Sequence, residues 1–267
     1  MRHFDLCIIG TGSGNSIIDE RFDHLDVALV EMGTFGGTCL NVGCIPSKMF
    51  VYPADLAALT IQAIRLGVDV DLRGVRWREI QERIFGRIDP QAANGRSYRQ
   101  QSHNVTVFDG CARFVGPRQL DVGAPETITA DRIVIAAGSR PVIPDLPGLS
   151  SVEFHTSDTV MRLPELPESM IIIGGGYVAA EFAHVFSAFG TSVIVLNRSE
   201  VMLGREDADV AKRFTDLLGR RVDVRVNTSV TSVERTDDRR VRVHIKSLED
   251  EPEPVSADVL LVATGRT

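Results

Sequence analysis

Cys39 and Cys44 lie within Gly36-Gly37-Thr38-Cys39-Leu40-Asn41-Val42-Gly43-Cys44-Ile45-Pro46-Ser47-Lys48. Two thiols at this spacing suit reversible thiol–disulfide chemistry, provided the backbone lets them meet. An ideal helix rises about 1.5 Å per residue and would hold them about 8 Å apart, too far for a disulfide. A bridge therefore needs non-helical backbone between them, and Gly43 permits it. Pro46 fits the first turn of a helix. Cys39 is accordingly read on an irregular loop and Cys44 at a helix N-terminus. There the positive end of the helix dipole favours negative charge on the Cys44 sulfur. Thiols that merely fill a core need none of the surrounding glycines.

This segment resembles the redox-active segment of the FAD-containing pyridine nucleotide–disulfide oxidoreductases, the family of the glutathione, lipoamide and mycothione reductases. The flanking Ile9-Gly10-Thr11-Gly12-Ser13-Gly14-Asn15-Ser16 and Lys48-Met49-Phe50-Val51-Tyr52 are most similar to the branch that reduces mycothione. The resemblance implies FAD and NADPH as cofactors and a Cys39–Cys44 disulfide in the oxidised protein. Cys44 is then on the flavin side. Cys39 attacks a small-molecule disulfide, and Cys44 resolves the mixed disulfide. It also implies that Lys48 sits by the flavin N5 and pairs with a glutamate of the second domain, here Glu181. Gly37, Thr38, Ala137 and Gly138 are assigned to the FAD site on the same ground.

The elements around these residues support two nucleotide sites. Phe4 to Ile9 is a short apolar run ending in Gly10-Thr11-Gly12-Ser13-Gly14-Asn15. A buried strand, a glycine turn and then a helix is a dinucleotide-binding arrangement. Gly10 allows the tight turn, and Gly12 lets a pyrophosphate approach the helix N-terminus. Asn15 holds the place of the usual third glycine, with Gly14 beside it. Glu31 ends the next strand, Val27 to Val30, where a ribose contact is expected. A second fingerprint follows Met170 to Ile173: Gly174, Gly176 and Ala179 open a helix over 178–189 that carries Glu181. Its second strand, Ser192 to Leu196, ends in Asn197 and Arg198 in place of an acid. An arginine there suits the 2′-phosphate of NADPH. Arg205 is the second candidate, one residue beyond the expected place, which Gly204 holds.

Between the fingerprints, residues to about Leu66 read as helix with apolar positions at 56, 59, 63 and 66, and Trp77 to Ile88 as another helix. Val105 to Phe108 and Ala112 to Val122 read as short strands, and Thr129 to Gly138 as a buried strand. A linker marked by Pro141, Pro144, Pro147 and Gly148 follows. Val222 to Val226, Val230 to Arg235 and Val241 to Ile245 read as strands. Glu249-Asp250-Glu251-Pro252-Glu253 reads as a solvated hairpin loop. Ala130-Asp131 to Gly138 and Ala257-Asp258 to Gly265 share one spacing, 127 residues apart. The expected fold is therefore α/β, with two related Rossmann-like dinucleotide-binding units, the second inserted into or following the first. Residues 1–149 are read as the FAD-binding domain with the redox segment, and 150–267 as the NADPH-binding domain.

Composition bounds the alternatives. At 43% hydrophobic residues the chain can build a proper core, and a net charge of −7 argues against a nucleic-acid partner. No apolar run reaches the ~20 residues of a membrane span, and the early charges do not suit a signal peptide. The expected setting is the cytoplasm, with no metal site. Cys7 and Cys111 read as core filler. None of His3, His24, His103, His155, His184 and His244 resembles the family's His–Glu acid–base pair. That pair, the last FAD segment and the dimerisation domain are expected to lie outside these 267 residues, so the chain alone is expected to be inactive and the full-length form a homodimer. The function read from these features is electron transfer from NADPH through FAD and the cysteine pair to a low-molecular-weight disulfide, mycothione first. The alternatives are a mercuric or lipoamide type, or a non-catalytic redox sensor or truncated remnant.

Overall fold

The computed structural model describes residues 1–247 and 253–267. The expected acidic hairpin loop therefore lies outside the described residues, apart from the exposed Glu253. The chain forms two compact units. Met1–Pro46 with Arg83–Ser139 make the first, and Ser47–Glu82 with Arg140–Thr267 the second.

The first unit is built on one sheet. Its strands are β1 (Arg2–Ile9), β2 (Val27–Glu31), β3 (Val105–Asp109), β4 (Arg113–Gly116), β5 (Gln119–Asp121) and β6 (Ile128–Ile135). Their order is β3-β2-β1-β6-β5-β4, parallel from β3 to β6 and antiparallel from β6 to β4. Phe4, Cys7, Ala28 and Val30 pack on one face with Leu120 and Ile128, and Leu6, Ile8, Val27 and Leu29 on the other with Ile18 and Phe35. A sheet covered on both faces explains the near-continuous apolar strands. The strand expected to be buried through to Gly138 is buried only at its start: Ile135 is 68% exposed.

The glycine turn after β1 is not followed by the expected helix. It leads into a 3-10 helix over Ser13–Ile17 and a second over Glu20–Phe22. Ser13-Gly14-Asn15-Ser16 are poor helix formers, and the Asp19 side chain accepts from Arg21 N–H to start a new turn. Gly14 takes the close-packing role of a third glycine, since a Cβ there would stand 2.3 Å from the Cβ of Ala136.

Helices α1 (Gly37–Asn41), α2 (Cys44–Arg65) and α3 (Trp77–Gln101) follow. Pro53 and Pro90 lie inside α2 and α3, each removing one backbone donor. The apolar positions 56, 59, 63 and 66 do not form a core face: Leu56 and Leu59 in α2, and Leu66 just beyond it, are exposed. Phe50, Ala54, Ala57 and Ala58 are buried in their place. In the second unit Phe50 meets the indole of Trp77 at 5.1 Å between centroids, and Trp77 meets Phe186 at 5.7 Å. The indole N–H donates to the Leu163 carbonyl at 2.8 Å, so the buried ring leaves no polar group unpaired.

The second unit adds β7 (Ser169–Ile173), α4 (Tyr177–Ala188), β8 (Ser192–Leu196), α5 (Ala208–Leu218) and β9 (Asp223–Arg225), then β10 (Thr228–Arg235), β11 (Val241–Ser247), β12 (Val255–Ala257) and β13 (Val259–Val262). A parallel sheet runs β13-β7-β8-β9, and an antiparallel one β10-β11-β12. The proline-rich stretch is not a loose connection. Arg140 and Thr267 exchange backbone hydrogen bonds, and Val142 N–H donates to the Gly265 carbonyl.

The 127-residue echo in the sequence is an echo in hydrogen bonding. Gly10 N–H donates to Val30 O at 2.8 Å, and Gly174 N–H to Leu196 O at 2.9 Å. Ala136 N–H donates to Ile9 O, and Ala263 N–H to Ile173 O. Both glycines have positive φ, and a Cβ on either would stand 2.3 Å from the carbonyl oxygen of that alanine. The single strand β6 corresponds at the same offset to β12 and β13 together, broken at Asp258.

Candidate redox-active site

The cysteine pair belongs to the first unit. Gly36, with φ 101°, is the left-handed N-cap of α1, and Gly37 also has positive φ. This start places Cys39 in a short helix, not on the irregular loop the sequence suggests. The non-helical break comes at Val42, with φ −142° and ψ 12°, whose N–H closes the turn on Thr38 O. Gly43 acts by leaving room: a Cβ there would stand 2.9 Å from the Thr38 carbonyl oxygen. Cys44 opens α2, and Pro46 sits in its first turn as expected. Asn41 is buried, and its Nδ2 donates to Phe35 O at 2.9 Å and Gly37 O at 3.0 Å, bracing the loop.

Cys39 and Cys44 are both thiols and both exposed. The Cys39 thiol is held above its usual range, first by its hydrogen bond with the Cys44 sulfur, then by burial and by charge on Cys44. The N–H groups of Cys44 and Ile45 act in the opposite sense on Cys39. The first amides of α2 therefore serve the Cys39 sulfur, where the sequence reading placed the helix terminus behind Cys44. A Cys39 thiol held up in this way calls for a base before it attacks a disulfide. Cys7 is fully buried in β1, and burial pushes its thiol up to about 11. It is the core filler expected, whereas Cys111 is exposed.

The glycine turn abuts this segment. A Cβ on Gly37 would stand 2.6 Å from the Gly12 Cα. Thr11, 1% exposed, joins the turn to the strand-end acid: its hydroxyl donates to Glu31 Oε2 at 2.6 Å, and its N–H donates to the same oxygen at 2.9 Å. The hydroxyl also accepts from Gly36 N–H at 3.1 Å. Glu31 Oε1 accepts from Gly33 N–H at 2.8 Å. A carboxylate has about four acceptor positions, so one remains for a ribose hydroxyl. Side-chain-free glycines and an acid with spare capacity fit an adenine dinucleotide. Ala137 and Gly138 are exposed just beyond β6, Gly138 with φ 71°. Thr11 and Asn41 escaped the sequence reading; only their places between matched glycines mark them.

The second unit holds the other candidates. Gly174 and Gly175 form the turn, and Gly176 caps α4 with open space where a Cβ would be. Ala179 is fully buried, letting α4 lie close to its sheet. Asn197, buried at the end of β8, donates to Ser199 O at 3.1 Å and Val201 O at 2.8 Å. Leu203 N–H donates to Gly175 O at 2.7 Å, which fastens the 198–205 loop to the glycine turn. Arg198 and Arg205 project from that loop, exposed and with no ion-pair partner among the described residues. Two uncompensated cations there suit a phosphate. Lys48 and Glu181 form the expected ion pair, with both residues in the second unit. Asp55 accepts from His184 Nε2 at 2.8 Å, a second polar link between α2 and α4. Among the described residues no cluster could hold a metal ion, and no helix is long and apolar enough to cross a membrane.

Comparison with known proteins agrees with this arrangement. The chain is 47% identical to mycothione reductase of Mycobacterium tuberculosis over its whole length and covers 58% of that protein. It is 31% identical to glutathione reductase of Nostoc sp., covering 98% of this chain and 56% of the relative. Among solved structures, the copper(II) complex of the HOCl-induced flavoprotein disulfide reductase RclA from Escherichia coli superposes with a TM-score of 0.85 at 29% identity. That match covers all of this chain and 57% of RclA. The chain thus spans somewhat over half the length of these relatives. Residues 4–267 match one family along almost the entire sequence. The chain belongs to the pyridine nucleotide-disulphide oxidoreductase family.

Proposed function

We propose that the chain provides the cofactor sites and redox pair of an NADPH- and FAD-dependent disulfide reductase, with mycothione as the substrate disulfide. The observation that carries this reading is the Cys39–Cys44 dithiol at the start of α2, against a glycine turn and the acid Glu31. The two parallel sheets are read as related Rossmann-like units, FAD over 1–149 and NADPH over 150–267. The two compact units differ from that division in that 47–82 and 140–149 belong to the second. Gly10, Gly12, Gly14, Glu31, Gly37, Thr38, Ala137 and Gly138 are assigned to FAD. Gly174, Gly176, Ala179, Arg198 and Arg205 are assigned to NADPH. FAD, when bound, supplies two-electron transfer from the reduced nicotinamide to the cysteine pair.

The chain's own residues account for the thiol chemistry. Deprotonated Cys39 attacks one sulfur of the substrate disulfide, forming a mixed disulfide and releasing one thiolate, which takes up a proton. Cys44 then attacks the Cys39 sulfur, forming the Cys39–Cys44 disulfide and releasing the second thiolate. Lys48 and Glu181 are assigned to charge control beside the flavin. The same reading makes the working enzyme a cytoplasmic homodimer. The 47% identity to a mycothione reductase favours mycothione over the mercuric and lipoamide alternatives.

The test is to purify the protein, record its visible spectrum, and add NADPH anaerobically. A yellow protein that bleaches with NADPH and gains two titratable thiols supports the reading. A colourless full-length form that takes up no FAD refutes it. Steady-state turnover of a full-length form on mycothione, glutathione and lipoamide disulfides then ranks the substrates.

A further inference from the structure

Arg99, near the end of α3, is only 8% exposed. All its hydrogen bonds go to the segment behind the first glycine turn. Nε donates to Asn15 Oδ1 at 2.8 Å, and one terminal nitrogen donates to Asn15 O at 2.9 Å and to Ile18 O at 3.2 Å. No carboxylate pairs with it among the described residues. Burial lowers its hold on the proton, with only Tyr98 acting in the opposite sense. A buried cation without a counter-charge is costly to keep. Arginine stays charged under all ordinary conditions, so it cannot escape by losing its proton.

The local backbone gives this charge a purpose. In a dinucleotide site the diphosphate rests on the N-terminus of a full helix, whose dipole supplies about half a positive charge. Here the glycines lead into five residues of 3-10 helix. So short a turn has little dipole, and its carbonyls present negative charge close behind the glycines. Arg99 covers the carbonyls of Asn15, in the middle of that turn, and of Ile18, just beyond its end.

We propose that Arg99 is a positioning residue of the first nucleotide site: it fixes the Asn15–Ile18 turn and supplies the positive charge that a full helix would present to a diphosphate. This rests on the reading of the first unit as the FAD site. It also explains why Asn15 stands where a third glycine is usual, since its side chain supplies one of the acceptors that hold the guanidinium.

The experiment reads displacement of bound FAD by ADP and by adenosine, followed through flavin fluorescence, in a full-length form with the native sequence, Arg99→Met or Arg99→Lys. Thermal unfolding of each is measured alongside. Competition against FAD confines the readout to that site. ADP and adenosine differ only in the diphosphate, so their affinity ratio reports recognition of its charge rather than general loss of structure. The native chain is expected to prefer ADP. Arg99→Met should lower the ratio about tenfold, the scale on which one charge acts through a protein of intermediate polarity. Arg99→Lys should restore most of it. If Arg99→Met does not fold, Arg99→Gln removes the charge while keeping an N–H for the carbonyls, and the same fall is expected. An unchanged ratio in a folded Met or Gln variant overturns the proposal and leaves Arg99 a structural prop. A native full-length form that takes up no FAD overturns the FAD reading and the proposal with it, which is recognisable because no variant is needed to see it.

Discussion

Replacing Thr11 by valine isolates the tie between glycine turn, strand-end acid and redox segment. The side chain is 1% exposed, so water cannot take over its bonds. Its hydroxyl donates to the Glu31 carboxylate at 2.6 Å and accepts from Gly36 N–H at 3.1 Å. A hydrogen bond to a charged group contributes about 1.5–3 kcal/mol and an ordinary one about 0.5–1.5 kcal/mol. Burying the new methyl group offsets about 0.8 kcal/mol of this. The expected net loss is roughly 1–4 kcal/mol. Glu31 keeps its bonds from Thr11 N–H and Gly33 N–H, so the strand end itself should hold. The assay is urea unfolding followed by circular dichroism, with Thr11→Ser as the comparison. Serine keeps both hydroxyl bonds and loses only the methyl, about 1 kcal/mol. A valine variant within about 0.5 kcal/mol of native, the scatter of ordinary surface changes, would refute the reasoning. So would a serine variant that falls as far as valine.

Four other expectations follow from the geometry. Mass spectrometry of oxidised protein without reductant should recover a linked Cys39–Cys44 peptide; two alkylatable thiols in that sample would remove the redox assignment. Arg198→Glu should shift preference from NADPH towards NADH by roughly one to two decades, the worth of a charge-assisted phosphate contact, and equal binding of both coenzymes by the native chain counts against it. Lys48→Met should change stability by only about 0–1 kcal/mol, because the Lys48–Glu181 pair is partly exposed, yet slow NADPH-driven flavin bleaching about tenfold or more; an unchanged bleaching rate would make the pair merely structural. Cys7 ionises at about 11 folded against 9.0 unfolded, so between those values only the unfolded chain has released the proton and stability falls as pH rises. The native chain should lose roughly 1 kcal/mol between pH 8 and pH 10 that Cys7→Ala does not lose, and equal slopes for the two would contradict the burial argument.

Most strands were legible because parallel strands covered on both faces are nearly continuous apolar runs, as at Val27–Val30 and Met170–Ile173. The opening of α2 at Cys44 was legible from Gly43 and Pro46, and the Lys48–Glu181 pair only through the resemblance of the surrounding motifs to the family. Three features were not. The helix expected after Gly12 gave way to 3-10 turns, because Ser, Gly and Asn favour local bonds over helix and Arg99 takes the carbonyls from a distance along the chain. The stripe at 56, 59, 63 and 66 of α2 was visible, but alanines, too small to stand out in a hydrophobic pattern, form its buried face. Cys39 entered a short helix because two consecutive positive-φ glycines begin a turn that periodicity cannot register.

The break between β12 and β13 has a dynamic consequence. In the first unit β6 is one strand, pairing parallel with β1 along its length and antiparallel with β5 at Ile128 and Thr129. In the second unit Asp258 interrupts the corresponding run, accepting from Ser169 N–H at 2.8 Å and from its hydroxyl at 2.6 Å. The β4–β5 hairpin is therefore locked to the central ladder of its sheet, and its amides can exchange with solvent deuterium only on the clock of that sheet or by fraying at their own edge. Among the described residues the β10–β12 sheet shares no ladder with β7, and β12 is joined in sequence to β13 through a single residue. Its strands are tied to the parallel sheet by packing instead, with Val233, Val243 and Ile245 in one core with Ile171 and Leu260, so their amides are expected to open by exposing that core rather than by breaking a shared ladder. Two units with the same hydrogen bonding at their glycine turns thus differ in how their outer strands are tied to the central sheet.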